Sequence, residues 1–544
     1  MSDQTKENTH RRILGNKVYL YLTEFFAGMS VMAVELGASR LMAPYFSSSQ
    51  IVWTIIIGTI MIAMALGNIY GGRAADKDPN PDKLYGRIVL ASIWIAAIPL
   101  VGKYVILGVS ALLVFTVNSN FLVIAAFAAC MIIFVFPLFL LGTVTPSLVK
   151  YTIGSLDDSG KTVGKLNAAN TIGSIIGTFV PTFISIPTVG TAVTFLIFAG
   201  ILLLLSVIYF ASSRIKSVGA IVGVVLYVIL AVIGHNGSFA FWIHDLTYEG
   251  ESIYNYLQVY EDENETRLST NVLFGVQSVY MKNKGLTGMY YDYAMAAPYM
   301  AGINEKDHLD VLILGMGTGT YSTQCKRYFD EGKLSFTGVE IDESITALAH
   351  EYFELPYDVP VVTYDGRAYL NVSTDKYDVI MVDAYQDITI PFQMSSVEFF
   401  KLVKDHLNDG GVMVVNMNLL GKEGADDICA HLSDTISSVF SRVYTVNCRG
   451  SNRELFASDA LDMISTFEKN VFLESDPELK NMMVTVSDGL SAYEAGGRVM
   501  TDDKAPVELL GMRVIDGMIK DEVDYYRRLY EREGLDGLIG ELYR

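Results

Sequence analysis

The chain has 544 residues, 51% of them hydrophobic, with a mean hydropathy of +0.33 and a formal net charge of −20, which is too long and too apolar for one soluble domain. Residues 1–236 carry 15 Lys+Arg against 9 Asp+Glu, so the remainder carries 25 against 51 and supplies all of the acidity. Such an acidic half excludes nucleic-acid binding by phosphate neutralisation; it either attracts cationic small molecules, polyamines or a sulfonium among them, or only keeps the domain soluble.

In chain order, residues 1–16 form a polar tail with no cleavable signal. Apolar runs follow near 17–44, 51–72, 88–116, 121–149, 166–187, 191–212 and 217–234. Each is long enough, or nearly so, to cross a hydrocarbon core of roughly 30 Å. They predict a helical membrane domain over 17–235 with seven helices, or eight if 88–116 is a hairpin. Basic residues at Arg11, Arg12, Arg73, Lys77, Lys150, Lys161 and Arg214 mark inside loops. An odd count would leave the C-terminal half outside, where nucleosides are scarce, so an even count and a cytosolic C-terminal domain are expected. Glu24, Glu35 and Arg40 fall within the first run, where charges pair or line a cavity. Gly173 and Gly177, four apart among small residues, suit close helix–helix packing. Pro44, Pro146, Pro181 and Pro187 are expected at helix ends or kinks.

Residues 236–251 read as a linker, and 252–300 as a small antiparallel β-sheet subdomain, from alternation at Ser252–Tyr260 and Val272–Met281. An Ala/Met helix is expected to end near Pro298. Residues 301–544 alternate strand and helix: strands at 311–314, 335–340, 360–363, 377–382 and 412–416, and helices near 320–330, 343–353 and 396–407. That is the pattern of a doubly wound, Rossmann-like parallel sheet of the methyltransferase type, which binds ligands beyond the carboxyl ends of its strands.

The candidate residues fall at those ends. Gly315-Met316-Gly317-Thr318-Gly319 is a glycine loop between strand and helix, without the third glycine typical of a pyrophosphate site. Its pattern tilts toward S-adenosylmethionine, which has no phosphates. Glu340, at the end of the next strand, suits a ribose clamp, although a helix-start acid there would need no function. Asp365-Gly366 is either a turn or an acceptor for an adenine amino group. Asp383 follows an apolar strand, where a carboxylate is costly to bury without a partner; Tyr385 and Asp387 follow in a loop. Cys130, Cys325, Cys429 and Cys448 lack metal-ligand spacing, and no metal is expected.

Taken together, the chain resembles the spermidine/spermine synthases, and more closely their bacterial membrane-fused relatives. In the apolar half the likeness rests on Glu35-Leu36-Gly37-Ala38-Ser39-Arg40, Gly71-Gly72-Arg73-Ala74-Ala75-Asp76 and Gly142-Thr143-Val144-Thr145-Pro146. In the soluble half it rests on Tyr254-Asn255, Gln277, Tyr290-Tyr291-Asp292, the glycine loop, Val339-Glu340-Ile341-Asp342, Asp365-Gly366, Tyr377 to Asp383 and Thr501-Asp502-Asp503-Lys504. The resemblance implies transfer of the aminopropyl arm of decarboxylated S-adenosylmethionine to a polyamine, with release of methylthioadenosine. It implies that Glu340 binds ribose and Asp365 adenine, and that Gln277 and Tyr291 line the cleft. Asn255, Tyr290, Asp292, Gly315, Gly317, Thr318, Gly319 and Gly366 complete the nucleoside half. Asp383, with Tyr385 and Asp387, serves the attacking amine. It also implies a bacterial cytoplasmic membrane protein, surrounded by lipid.

Three positions depart from the family. Thr318 stands where the loop normally carries an Asp that grips the amino end of the aminopropyl arm. Asp383 and Asp387 are four apart instead of three, and Tyr291 replaces a His or Gln. Loss of the charge at 318 keeps intact S-adenosylmethionine open as substrate, with a lyase reaction giving methylthioadenosine and homoserine lactone. A methyltransferase and a transporter that senses nucleosides or polyamines without turnover are further alternatives. The helical half is open to three roles: an anchor, a passage for substrate, or a homo-oligomer contact.

Overall fold

The structure, a computed structural model, describes residues 16–46, 49–114, 120–152, 159–215, 217–240, 246–271, 275–384, 390–417, 427–450 and 452–542. The chain divides into two compact units: Met1–Val117 with Phe121–His244 and Gly250–Tyr256, and Asn118–Asn120 with Asp245–Glu249 and Leu257–Arg544.

Apolar runs that must satisfy their own amides become helix. The first unit contains Lys17–Phe46, Gln50–Lys77, Pro81–Val114, Phe121–Gly142, Val144–Thr152, Ser159–Val180, Ile186–Ser212 and Val218–Gly234. Among the described residues, five stretches are long and apolar enough to cross a membrane by length and composition: Lys17–Phe46, Gln50–Lys77, Pro81–Leu113, Phe121–Thr152 and Ser159–Ser212. Val218–Gly234 is a shorter apolar helix. The seven expected apolar runs fall on these helices, the fourth continuing into the short Val144–Thr152 helix, and the stretch Ser159–Ser212 takes in two of them. The run near 88–116 is one helix, not a hairpin. The runs near 166–187 and 191–212 join through a π-helical turn at Pro181–Ser185 and bend at Gly190, where φ is 78°. Pro181 and Pro187 each lack an N–H, and the wider turn and bend absorb the resulting gap in the ladder.

The small residues in this unit pack as their spacing predicts. A Cβ added at Gly173 would lie 2.0 Å from the carbonyl oxygen of Phe25, and one at Gly177 would lie 2.1 Å from that of Met29. Only glycine permits that approach between the Lys17–Phe46 and Ser159–Val180 helices. Gly177→Val is therefore expected to lower the melting temperature of the detergent-solubilised protein by several degrees. Gly58→Ala, with no atom within 4 Å of the new methyl, should not. Glu24 is buried, and its Oε1 accepts from Thr145 Oγ1 at 2.6 Å and Asn170 Nδ2 at 2.8 Å. Arg40 donates to the carbonyl of Ile253.

In the second unit, β2 (Tyr256–Glu261), β3 (Glu265–Ser269) and β4 (Ser278–Met281) form an antiparallel meander within a four-stranded sheet completed by β1 (Leu246–Glu251). β1 occupies residues read as linker, and β3 occupies residues for which no strand is predicted. The helix expected to end near Pro298 is two short ones, Tyr290–Ala294 and Ala296–Met300. Pro298 sits in the first turn of the second, where its missing N–H has no partner to lose.

The eight-stranded sheet runs β12-β10-β11-β9-β8-β5-β6-β7. The strands are β5 (Leu309–Leu314), β6 (Leu334–Glu340), β7 (Val361–Thr363), β8 (Tyr377–Val382), β9 (Leu407–Met417), β10 (Arg442–Asn447), β11 (Arg453–Ser458) and β12 (Ser491–Ala492). β5 to β9 pair in parallel; β11, β10 and β12 add an antiparallel edge. β8 is buried along its whole length, as strands covered on both faces are. The order reverses at β5, which lies between β6 and β8. A crevice at the carboxyl ends of β5 and β8 is where such sheets receive ligands.

Candidate active site

The glycine loop leaves β5 and starts the Thr320–Tyr328 helix. Gly315, Gly317 and Gly319 have φ of 83°, 55° and 84°, in the left-handed region that glycine adopts freely. Gly315 has a second constraint: a Cβ there would stand 2.6 Å from both Ala384 Cα and the Asp383 carbonyl oxygen. The loop backbone thus passes directly against the residues that end β8.

The loop is clamped from two sides. Glu340, at the end of β6, accepts from the Gly317 amide at 2.9 Å through Oε2 and from the Asp342 amide at 3.0 Å through Oε1. From β4, Ser278 Oγ accepts from the Thr318 amide at 3.2 Å. The Thr320 hydroxyl accepts from Val279 N at 3.0 Å and donates to its carbonyl at 2.8 Å. Thr318 is buried, and its own hydroxyl has no partner. Burial pushes the Glu340 carboxyl up to about 7, against the lowering pull of its amide donors.

Asp383 stands at the end of β8, tied by its amide to the Leu314 carbonyl at 2.9 Å. Its Oδ2 accepts from Tyr290 Oη at 2.7 Å and its Oδ1 from Asn416 Nδ2 at 3.0 Å. Asn416, buried on β9, is held in turn by Asn452 Nδ2 at 2.8 Å. Burial raises the Asp383 carboxyl to about 7; the two donors oppose the rise and Glu340 adds to it. A carboxyl so poised switches between acid and base near neutrality, which general-base chemistry requires.

The other expected residues divide by role. Tyr291 packs its ring 4.1 Å from that of Tyr290 and donates to the Gln277 carbonyl at 2.9 Å, so Gln277 joins the site through its backbone. Asp292 is buried, with Oδ1 taken by the amide and hydroxyl of Thr287 and Oδ2 by the Gly288 amide. It holds a turn instead of facing a ligand. Asp365 caps the Gly366–Val372 helix, accepting from Ala368 N at 2.8 Å through Oδ1, so one oxygen is structural. Arg367, two residues on, forms a two-pronged ion pair with Asp502 at 2.7 and 2.6 Å, which ties the Thr501–Lys504 motif to this helix. Asn255 belongs to the first unit, where its carbonyl accepts from the Ser252 amide at 2.8 Å. Tyr385 and Asp387 lie outside the described residues. No group of three or more His, Cys, Asp or Glu that could hold a metal occurs among the described residues.

Sequence reasoning missed Asn416, Asn452 and Glu454. Glu454 is fully buried on β11 and neither of its carboxylate oxygens has a hydrogen-bond partner. The signal was an acid inside the apolar run Glu454-Leu455-Phe456-Ala457.

The sequence profile of the spermine/spermidine synthase domain matches residues 292–450. A probable polyamine aminopropyl transferase of Bifidobacterium longum is 50% identical over 350 residues, 61% of this chain and 77% of that protein. A polyamine aminopropyltransferase of Vibrio vulnificus is 26% identical over 287 residues, 49% of this chain and 91% of that one. Among solved structures, the spermidine synthase of Thermotoga maritima aligns with a TM-score of 0.35 at 20% identity, covering 44% of this chain and 84% of that one.

Proposed function

The chain belongs to the spermine/spermidine synthase family of polyamine aminopropyltransferases, and we propose that it moves the aminopropyl arm of decarboxylated S-adenosylmethionine onto a polyamine and releases methylthioadenosine. The observation that carries this is Asp383, held by Tyr290 and Asn416 at the switch point of the sheet, against the glycine loop. Glu340 and the loop take the ribose, and Asp365 the adenine. The amine nitrogen attacks the arm carbon bonded to sulfur. A C–N bond forms, the C–S bond breaks, and its electron pair neutralises the sulfonium. The nitrogen must first lose a proton, because a free amine has a pKa of about 10. Asp383 accepts that proton. The sulfonium is already an activated leaving group, so the remaining work is positioning.

We further propose that the helical unit lies in a bacterial cytoplasmic membrane with the catalytic unit on the cytosolic side, and two observations support this. Five stretches have spanning length and composition, and apolar side chains such as Met61, Leu66, Phe179 and Ile221 stand exposed, as lipid contact would require. The catalytic unit needs a sulfonium made in the cytosol. The lyase and the non-turnover transporter gain no support from the relatives.

The test uses the full chain purified in detergent, with S-adenosylmethionine or its decarboxylated form, with and without putrescine, and identifies products by mass spectrometry. Methylthioadenosine that appears only with the decarboxylated sulfonium and the amine together is the expected result. Methylthioadenosine without amine, adenosylhomocysteine, or no turnover would each overturn it.

The pH dependence has a defined sign. Asp383 is raised to about 7, so it is protonated and unable to accept a proton below that value and competent above it. At saturating sulfonium, kcat/KM for the amine is expected to rise roughly tenfold per pH unit below 7 and to level off above it. A profile flat from pH 5.5 to 7.5 would remove Asp383 as the base.

A further inference from the structure

Glu454 contradicts its surroundings. It is completely inaccessible, and both Oε1 and Oε2 lack any donor. Most buried polar side chains have a partner, and an unpaired buried carboxyl costs more than almost any other single feature of a core. Its place in the sheet is specific. In the β9–β11 register Glu454 stands directly opposite Asn416, and residues opposite each other in an antiparallel pair project from the same face. Asn416 is the residue that donates to Asp383. Glu454 therefore lies on the face that holds the candidate base, two strands over from β8, with Asn416 on β9 between them.

The groups that interact with it electrostatically are Asp383 after β8, Cys448 after β10 and Tyr321 on the helix that follows the glycine loop. None of these three is a cation. The two orphan oxygens are acceptors that want N–H donors close to the reacting carboxylate. A sulfonium has no N–H to give. A primary ammonium has three. The substrates of the proposed reaction bring such groups to this place, at the ends of the acceptor amine and at the free end of the aminopropyl arm. Asp383 is partly exposed, whereas Glu454 is fully buried.

We propose that Glu454 is the carboxylate of an alkylammonium subsite that holds a primary ammonium of bound substrate beside Asp383. This rests on the aminopropyltransferase reading and deepens it. It assigns a ligand to an acid that has no partner among the described residues, and it divides the work: Asp383 takes the proton, Glu454 sets where the nitrogen chain lies.

The test is calorimetric titration of the full chain in detergent with three probes: methylthioadenosine alone, putrescine in the presence of methylthioadenosine, and decarboxylated S-adenosylmethionine. Glu454→Gln is expected to keep methylthioadenosine affinity within about twofold and to weaken an ammonium-bearing probe by roughly tenfold or more, the effect of losing a charged hydrogen-bond acceptor. Loss for putrescine assigns the acceptor amine; loss for the decarboxylated sulfonium with putrescine unchanged assigns the aminopropyl arm. Glu454→Leu, close in volume and without polar atoms, should show the same loss while raising the thermal midpoint of the ligand-free protein. It decides the matter if the Gln variant does not fold. A structural role for Glu454 predicts the opposite, a fall in the midpoint with cation affinity retained. Wild-type protein that binds methylthioadenosine, with variants that bind both cations normally, overturns this inference alone. Wild-type protein that binds no methylthioadenosine overturns the functional reading and this inference with it.

Discussion

Asp383→Asn is expected to reduce amine-dependent release of methylthioadenosine by roughly a hundred- to ten-thousand-fold, the range that a positioned general base contributes. The amide keeps the size of the carboxylate and can still accept from one of its two donors, Tyr290 Oη or Asn416 Nδ2. It cannot accept a proton from the amine near neutral pH. Affinity for methylthioadenosine should survive, because Asp383 does not belong to the nucleoside clamp. Product release by mass spectrometry, run beside nucleoside titration, separates the two effects. Near-wild-type turnover in this variant would remove Asp383 from the mechanism. Lost nucleoside binding would instead mean that the substitution had disturbed the loop, which packs its Gly315 backbone against Asp383 and Ala384.

The second large effect is expected at Glu340. Glu340→Gln replaces an acceptor pair that already holds the Gly317 and Asp342 amides with one acceptor and one donor. One amide must then face an NH₂ group, and a ribose hydroxyl loses a charged acceptor. Hydrogen bonds to charged groups contribute about 1.5–3 kcal/mol each, so methylthioadenosine should bind roughly ten- to a hundredfold more weakly. The pattern is the reverse of that at Asp383: binding falls first, and turnover at saturating sulfonium is recovered in larger part. Unchanged affinity for the nucleoside in Glu340→Gln would show that the ribose lies elsewhere.

The parts of the site that could be read from the sequence are those made by neighbours along the chain. β5, the glycine loop, the following helix and β6 with Glu340 at its end are successive, and each announces itself by an apolar run, glycines or an acid. Asp383 was readable for the same reason, as a carboxylate directly after a wholly buried strand. Asn416, Asn452 and Glu454 were not. Asn416 reaches the site because β9 lies beside β8, and Asn452 and Glu454 because β11 runs antiparallel beside β9, a pairing between segments more than thirty residues apart with the Ile428–Ser437 helix and β10 between them. β3 was missed because Glu265-Thr266-Arg267-Leu268-Ser269 is mostly polar, and only Thr266 and Leu268 face inward. The resemblance puts Asp292 in the nucleoside half of the site. Its neighbours Thr287 and Gly288 instead draw it into a local turn, a competition that short polar side chains often win. In the helical unit, Gly173 and Gly177 were legible because close approach demands glycine at that spacing. The joining of two apolar runs through Pro181–Ser185 was not, since proline more often ends a helix than widens one.

The hydrogen bonds that Ser278, Val279 and Thr320 exchange bear on how this enzyme can be cut. A fragment beginning at residue 301 would retain every strand of the large sheet. It would also leave the Thr318 amide and the Thr320 hydroxyl without the partners that fix the loop's shape. Trimming the hairpin should therefore yield a piece that folds yet grips adenosyl compounds poorly, with its ligand-free loop exchanging amide hydrogens quickly. Through Ser278 and Val279 the upstream meander fixes the glycine loop instead of acting as a spacer.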